Sequence, residues 1–150
     1  MSRPSSNSLS GLLRRTIGDR LAPDADDVLA MCADDVVWEF PFAPPGGVQR
    51  LEGKAAVAAY LPKVGGLISV TGGSLTAVHR STDPDVAIIE FEITGKGVAT
   101  GLPYDQRYIC VFRTRDGRIV HFKDYWNPLT LLSAVGGEDA LAAALHGQAQ

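Results

Sequence analysis

The chain has 150 residues, enough for one domain with a substantial hydrophobic core. Hydrophobic residues make up 45% and charged residues 21%, which is typical of a soluble globular protein. A net charge of −3 argues against a nucleic-acid or membrane partner, and no membrane span or signal peptide is visible, so we expect a cytoplasmic protein.

Helices are predicted at the beginning of the chain. Residues 1–7 are Ser-rich and are expected to be disordered. Ser8 or Ser10 is a suitable N-cap for a first helix, and Asp24 is a suitable N-cap for a second, short helix that reaches about Cys32. The apolar stripe of the first helix consists of Leu12, Leu13, Ile17 and Leu21.

A strand rich in large rings is predicted next, over Val36–Phe42. By two-residue alternation it places one set of apolar side chains on a single face: Val36, Trp38, Phe40 and Phe42. The Pro and Gly content of residues 43–50 indicates a loop. A third helix is predicted over Glu52–Lys63, with Pro62 and the Gly65-Gly66 pair as its stop.

The rest of the chain is predicted to be mostly sheet. One or two strands, interrupted at Gly72-Gly73, are expected over 68–80. Single strands are expected over 86–99, 104–113 and 118–127, and an Asp116-Gly117 turn joins the last two. Helical segments over 129–135 and 138–145 follow, the second within a helical tail over 137–150. Helices followed by an antiparallel meander indicate the α+β class, and the absence of a repeat or boundary predicts one domain over 1–150.

The last predicted strand carries one carboxylate on an otherwise apolar face. Asp124 shares this face with Val120, Phe122 and Trp126. A carboxylate placed against a core needs an ionic partner, a proton or a chemical role. Apolar neighbours would raise its pKa and make it a general acid or base near neutral pH. The alternative is structural: an ion pair with Arg107 or Lys123, or a cap on a backbone end.

Three stretches of the chain resemble the nuclear-transport-factor-2-like superfamily, which includes ketosteroid isomerase. They are DDVVWEFPFAPPG from Asp34, LEGKAAVAAYL from Leu51 and YDQRYICVFRTRDGRIVHFKDYWNPL from Tyr104. Within the superfamily the chain is most similar to the SnoaL-like polyketide cyclases and the phenazine-biosynthesis A/B proteins. The resemblance implies a cone-shaped, strongly curved antiparallel sheet wrapped around the N-terminal helices, a deep pocket, and a homodimer paired through the outer sheet face.

The resemblance also bears on the acid. The position of the catalytic Asp of ketosteroid isomerase is Phe40 here, in the stretch Glu39-Phe40-Pro41, so that base is missing. The catalytic acid of the phenazine-biosynthesis proteins corresponds to Asp124, three residues before the Asn127-Pro128 pair. A carboxyl tuned by an apolar site is already known from ketosteroid isomerase.

The candidate site therefore contains Asp124 as the proton-transfer group and Tyr108 as a hydrogen-bond donor to a ligand carbonyl. Apolar rings either hold a small hydrophobic ligand or simply pack as core: Trp38, Phe40, Phe42, Tyr60 and Trp126. Cys32 and Cys110 are expected to be reduced and buried, and no spacing indicates a metal site. We expect no cofactor.

Four functions remain open from the sequence. The first is a cofactor-free isomerase or cyclase that transfers a proton on a hydrophobic carbonyl metabolite. The second is a binding protein for such a ligand, and the third is an interaction module with a filled core. An epoxide hydrolase would use Asp105, Arg107 and Asp124, but Asp105 and Arg107 are predicted on the strand face opposite Tyr108, so proton transfer is preferred.

Overall fold

The computed structural model describes residues 9–145. The predicted disorder of residues 1–7, the possible cap at Ser8 and the end of the helical tail lie outside this range. Helix α1 spans Leu9–Ile17 and continues into a 3-10 turn over Gly18–Arg20. The four residues of the predicted stripe, Leu12, Leu13, Ile17 and Leu21, are all buried, as expected. Ser10 lies inside the helix instead of capping it.

The second helix is shorter than predicted. Helix α2 spans only Val28–Met31, and its N-cap is Asp27, whose side chain accepts a hydrogen bond from Ala30 N at 2.7 Å. The predicted cap at Asp24 is therefore wrong by three residues. Strand β1 begins directly afterwards and spans Cys32–Glu39.

The third helix is longer than predicted. After the short strand β2, Arg50–Glu52, helix α3 spans Lys54–Leu67 and runs through Pro62 and the glycine pair that were expected to stop it. Its second half carries apolar side chains at a helical spacing, Leu61, Val64 and Leu67, and all three line an internal cavity. Burial of this stripe outweighs the local preference of Pro and Gly against a helix.

The sheet contains six strands in the order β2-β1-β6-β5-β4-β3. Strands β3 to β6 form the predicted antiparallel meander, and β1 pairs with β2 antiparallel. The β1–β6 pair is parallel, so the sheet is mixed and the expectation of a wholly antiparallel sheet does not hold for that pair. The four meander strands span Ile68–Arg80, Val86–Gly97, Gln106–Arg115 and Arg118–Trp126.

Helices α4, Pro128–Val135, and α5, Glu138–Leu145, follow the sheet close to their predicted positions. Helix α4 packs tightly on the end of β4: a Cβ atom added at Gly97 would lie 2.0 Å from the Ala134 carbonyl oxygen. Only glycine permits this approach. The α+β class is confirmed, with helices packed against one face of the sheet.

The hairpin of β5 and β6 closes as predicted and contains a bulge that was not predicted. Asp116 and Gly117 have φ values of 53° and 79°, the left-handed conformations that a two-residue hairpin turn requires. Thr114 pairs with Ile119 but Arg113 pairs with His121, so the residue between them, Val120, has no partner. Ile119, which is fully buried, takes the inward position that had been assigned to Val120.

Two clusters of buried side chains form the core. The larger lies between the sheet and helices α1 to α3, and the smaller lies beneath α4 and α5. Val48, Tyr60 and Tyr108 pack against both clusters. These three residues also line the internal cavity, so the cavity is located where the two clusters meet.

Candidate functional site

A cavity of about 190 Å³ lies between the inner face of the sheet and helices α3, α4 and α5. Its walls are mostly apolar, and the side chains with polar atoms among the described lining residues are Asp124, three tyrosines and two tryptophans. Of the described residues that line it, none is Lys, Arg or His. An apolar cavity with a few polar groups is the usual form of a small-molecule site.

Asp124 lies on the inner face of β6 and lines this cavity, as the alternation of the strand predicted. Burial raises the pKa of its carboxyl from 3.8 to about 7, against the opposing effect of a hydrogen bond from Cys110. The predicted ionic alternatives are absent among residues 9–145: Arg107 pairs instead with Glu92, at 3.3 Å, on the outer face. The carboxyl is thus held without a cation, near the midpoint of its titration at neutral pH.

Cys110 lies directly opposite Asp124 on the neighbouring strand β5. Its Sγ atom is 3.2 Å from Asp124 Oδ1, and its side chain is fully buried. Burial raises the pKa of the Cys110 thiol well above its ordinary value, with a further contribution from the Asp124 charge. The thiol therefore stays protonated and donates a hydrogen bond to the carboxylate.

A pair of tyrosines supplies hydroxyl groups to the cavity. The hydroxyls of Tyr104 and Tyr108 are 2.6 Å apart, and both residues line the cavity. Burial raises the pKa of both phenols, so both are neutral hydrogen-bond donors at physiological pH. The ring of Phe91 stacks on Tyr108 at 4.7 Å with an interplanar angle of 10°, which fixes the ring plane.

Gln106 connects this pair to the helix that covers the cavity. Its amide Nε2 donates to Asn127 O, and its Oε1 accepts from Asn127 N, each at 2.9 Å. The same Nε2 is 3.4 Å from the Tyr104 hydroxyl. Asn127 in turn caps helix α4 by accepting from Leu129 N at 3.0 Å. The buried Gln106 side chain therefore contacts both the start of α4 and the tyrosine pair.

Aromatic rings form the walls around Asp124. Trp38 stacks on Phe122 at 4.6 Å, and Phe40 lies 5.4 Å from Tyr60 and 6.5 Å from Trp126, measured between ring centres. Burial and the Asp124 charge raise the pKa of the Tyr60 hydroxyl. The structure therefore brings Trp38, Phe40, Tyr60, Trp126, Tyr108 and Asp124 to one cavity. Their roles toward a ligand stay predictions.

Phe42 does not belong to this group. Its side chain is 57% exposed and packs against Tyr125, with ring centres 5.4 Å apart. The error has a local cause: β1 ends at Glu39, and Ala43 N bonds to Phe40 O in a turn. The two-residue alternation of the strand stops at this turn, so it no longer predicts which side Phe42 takes.

The residues required for epoxide hydrolysis do not meet. Asp105 is exposed, and the Arg107 side chain is 88% exposed on the outer face, whereas Asp124 lines the cavity. The predicted separation of these residues is the observed one. The geometry therefore gives no support to that alternative.

Three residues of the site had no role in the sequence-based interpretation. By two-residue alternation Tyr104, Gln106 and Cys110 share a strand face with Tyr108, but the sequence assigns them no function. The signal that identifies them is the antiparallel register, because it places Cys110 opposite Asp124 and Tyr108 opposite Trp126. The strand pattern alone does not fix that register.

Over residues 9–145 no group of three or more His, Cys, Asp or Glu side chains is arranged to hold a metal ion. Cys32 and Cys110 are both buried and unbridged, as expected. No helix in the same range is long and apolar enough to span a membrane.

Comparison with known proteins assigns the family. The model of the SnoaL-like domain matches residues 18–122. The uncharacterized protein YesE of Bacillus subtilis (strain 168) is 42% identical over 125 residues, which cover 83% of this chain and 85% of YesE. An uncharacterized PhzA/B-like protein of Pseudomonas aeruginosa is 40% identical over 111 residues, covering 74% of this chain and 78% of that protein.

A solved structure agrees with these relatives. The crystal structure of an isomerase candidate from Bacillus subtilis superposes with a TM-score of 0.72 at 40% identity, and the match covers 84% of this chain and 90% of that one. The resemblance read from the three sequence stretches is confirmed by both kinds of comparison. The chain belongs to the SnoaL-like domain family.

Proposed function

We propose that the protein is a cofactor-free isomerase or cyclase that transfers a proton on a small, hydrophobic carbonyl compound. The observation that carries this proposal is the Asp124 carboxyl, which lines an apolar cavity with no cation beside it and has a pKa of about 7. A group with this pKa accepts and returns a proton readily at neutral pH. The description of the similar Bacillus subtilis structure as an isomerase candidate is consistent with it.

In the proposed reaction, ionised Asp124 removes a proton from a carbon next to the carbonyl group. The C–H electron pair moves toward the carbonyl oxygen and forms an enolate, while the proton is held on the carboxyl. The Tyr108 hydroxyl donates a hydrogen bond to that oxygen, where negative charge develops. Return of the proton to a different carbon completes an isomerisation. Attack of the enolate on a second carbonyl of the same molecule completes a cyclisation, and that oxygen receives the proton.

The cavity restricts the ligand. A cavity of about 150 Å³ is known to hold a benzene molecule, so the cavity of about 190 Å³ suits a compound of about one ring with short substituents. Because the described lining residues include no cation, an anionic ligand would face Asp124 without compensation. The preferred ligand is therefore a neutral carbonyl compound.

Isotope exchange tests the proposal without knowledge of the natural substrate. Neutral cyclic ketones and enones of one ring are incubated with the protein in D₂O, and NMR follows replacement of the protons next to the carbonyl. Asp124→Asn is expected to lower the exchange rate at least about 100-fold, since it removes the base. Glu90→Gln is the matched control, because Glu90 is a carboxylate on the outer face, 2.6 Å from His79, and its replacement should leave exchange unchanged.

Equal exchange in the wild type and in Asp124→Asn would refute the role of Asp124. Compounds that bind the wild type without any exchange would instead support the second candidate, a non-catalytic binding protein for a small hydrophobic ligand. The mostly apolar lining is the observation that favours this alternative.

We also propose that the protein forms a homodimer through the outer face of the sheet. Phe42, which is 57% exposed, packs there against Tyr125, and Ile109, which pairs with Tyr125, is 44% exposed. Adjacent exposed apolar side chains of this kind mark association surfaces. Light scattering should give a dimer mass for the wild type and a monomer mass for Ile109→Lys; a monomeric wild type would contradict the proposal.

A further inference from the structure

We propose that Cys110 is a positioning residue for Asp124: its thiol donates a hydrogen bond to Oδ1 of the carboxylate and leaves Oδ2 to exchange the proton with the ligand. The consequence for catalysis rests on the function proposed above. The effect of the thiol on the pKa of Asp124 does not depend on that function, and it can be measured without any substrate.

The geometry of the pair is fixed by the sheet. Cys110 and Asp124 are direct partners in the antiparallel register of β5 and β6, and Sγ lies 3.2 Å from Oδ1. Cys110 is fully buried and Asp124 borders the cavity, so the thiol approaches the carboxyl from the protein side. Within residues 9–145, Cys110 is the one side chain that hydrogen-bonds to Asp124.

The other titratable groups near the carboxyl do not replace the thiol. The charge of Asp124 contributes to the raised pKa values of three tyrosines: Tyr60 on α3, Tyr104 just before β5, and Tyr108 in β5. All three are neutral phenols at physiological pH, and none of them hydrogen-bonds to the carboxyl. The described cavity-lining residues of β1, α4 and α5 carry no titratable side chain.

The hydrogen bond from the thiol lowers the pKa of Asp124, whereas burial raises it. Burial favours the protonated, neutral form of Asp124, whereas a donated hydrogen bond favours the ionised form. A thiol is a weaker donor than a hydroxyl, so it stabilises the carboxylate only moderately. The result is a carboxyl that has both forms available near neutral pH and one oxygen with a fixed partner.

Cys32 is a matched control that distinguishes a purely structural role of Cys110 from a positioning role. Cys32 is 1% exposed and Cys110 is fully buried, and both belong to the same core cluster. Cys32 lies near the indole of Trp38 instead of near Asp124. Loss of either side chain removes a similar buried volume, but only loss of Cys110 removes a donor to the carboxyl.

The test is a carbon-13 NMR titration of the Asp124 carboxyl, assigned by its disappearance in Asp124→Asn. In Cys110→Ala the pKa of Asp124 is expected to rise by roughly half to one unit, the equivalent of one lost weak hydrogen bond. Cys110→Ser keeps a donor and should bring the value back to that of the wild type or below it. Cys32→Ala should leave it unchanged.

An unchanged Asp124 titration in Cys110→Ala, or the same shift in Cys32→Ala, would overturn the proposal. If Cys110→Ala does not fold, infrared spectroscopy of Cys32→Ser, in which Cys110 holds the remaining thiol, replaces it. The S–H stretching band of Cys110 should move to lower frequency as Asp124 ionises. Adding Asp124→Asn should abolish this movement. A band whose frequency does not change with pH would also overturn the proposal.

The titration also separates this proposal from the proposed function. Suppose that the pKa of Asp124 is higher in Cys110→Ala than in the wild type and in Cys32→Ala, but that no compound exchanges protons. Cys110 then still positions the carboxyl, and the catalytic proposal fails. If the wild type exchanges protons but the pH profile of Cys110→Ala coincides with that of the wild type, the function stands and the positioning role fails.

Discussion

The two faces of the sheet formed by β4 to β6 place carboxylates in opposite environments. On the outer face, carboxylates have partners at the exposed surface: Glu92 lies 3.3 Å from Arg107, and Glu90 lies 2.6 Å from His79. On the inner face of the same strands, Asp124 has no counterion and lines an apolar cavity. The same sheet therefore places two carboxylates of β4 in water and the carboxylate of Asp124, on β6, away from it.

The charged groups on the two faces differ in their effect on the free energy of unfolding. Exposed ion pairs contribute little to folding, because water already solvates both charges. A carboxyl without a counterion in an apolar site costs stability in its ionised form, and groups of this kind are concentrated at functional sites. The inner face should therefore respond strongly to substitution and the outer face weakly.

The largest expected effect is the loss of a core ring. Phe122, 1% exposed, stacks on Trp38 and contacts Phe112 edge-on, so Phe122→Ala should lower the free energy of unfolding by about 3–5 kcal/mol. With both variants made in the monomeric Ile109→Lys background, Phe42→Ala on the outer face is the control and should cost less than about 1 kcal/mol. Urea unfolding of both variants measures the difference, and equal losses would contradict the assignment of the two faces.

The next effect is a gain of stability in Asp124→Asn that depends on pH. The pKa of Asp124 is about 7 in the folded chain and near 3.8 in the unfolded one. Between these values the folded chain keeps a proton that the unfolded chain has released, so the free energy of unfolding of the wild type falls as pH rises from about 4 to about 7.

Asparagine cannot ionise and avoids this loss. Asp124→Asn should match the wild type near pH 4 and exceed its free energy of unfolding by about 3–4 kcal/mol at pH 8. Denaturant unfolding at the two pH values measures it, with Glu90→Gln as the control on the outer face. A constant difference across pH would show that Asp124 ionises in the folded chain as it does in water.

A smaller effect is expected at the tyrosine pair. Tyr108→Phe removes the hydroxyl proposed to bind the carbonyl oxygen, so the rate of isotope exchange should fall about 10–100-fold while the fold is kept. Tyr125→Phe, on the outer face of the partner strand, should leave the rate unchanged. A similar loss in both variants, or in neither, would remove Tyr108 from the proposed mechanism.

The smallest effect is expected for the outer ion pair. Arg107→Ala breaks the contact with Glu92, but the Arg107 side chain is 88% exposed, so the free energy of unfolding should change by less than about 0.5 kcal/mol. Thermal unfolding at low and high salt measures it. Both chains are compared in the monomeric Ile109→Lys background, and a loss above about 1 kcal/mol there would contradict the weak response expected of the outer face.

Much of the fold could be predicted from local pattern. The Asp116-Gly117 turn, the meander of β3 to β6 and the two C-terminal helices follow from turn chemistry and periodicity. The continuation of α3 through Pro62 could not be predicted, because the apolar side chains that maintain it bury against distant parts of the chain. The parallel β1–β6 pair also depends on contacts far apart in sequence.

The site was predictable where a strand is regular and not where it is interrupted. Asp124 and Tyr108 face the cavity as the alternation requires. Val120 and Phe42 were misplaced, one by a bulge and the other by the end of a strand, and both features shift the alternation without a clear sequence signal. The Cys110–Asp124 contact needed the register of two strands, which only the assembled sheet defines.

Chemistry and ligand choice are encoded in different parts of the polypeptide. Asp124, Tyr104 and Tyr108 belong to the hairpin region. Leu131, Leu141 and Leu145, on the last two helices, close one side of the cavity. Gln106 anchors the first of these helices to the sheet through Asn127, so side chains farther along can change size while the anchor persists. Evolution can thus enlarge or reshape the cavity without disturbing the group that is proposed to move the proton.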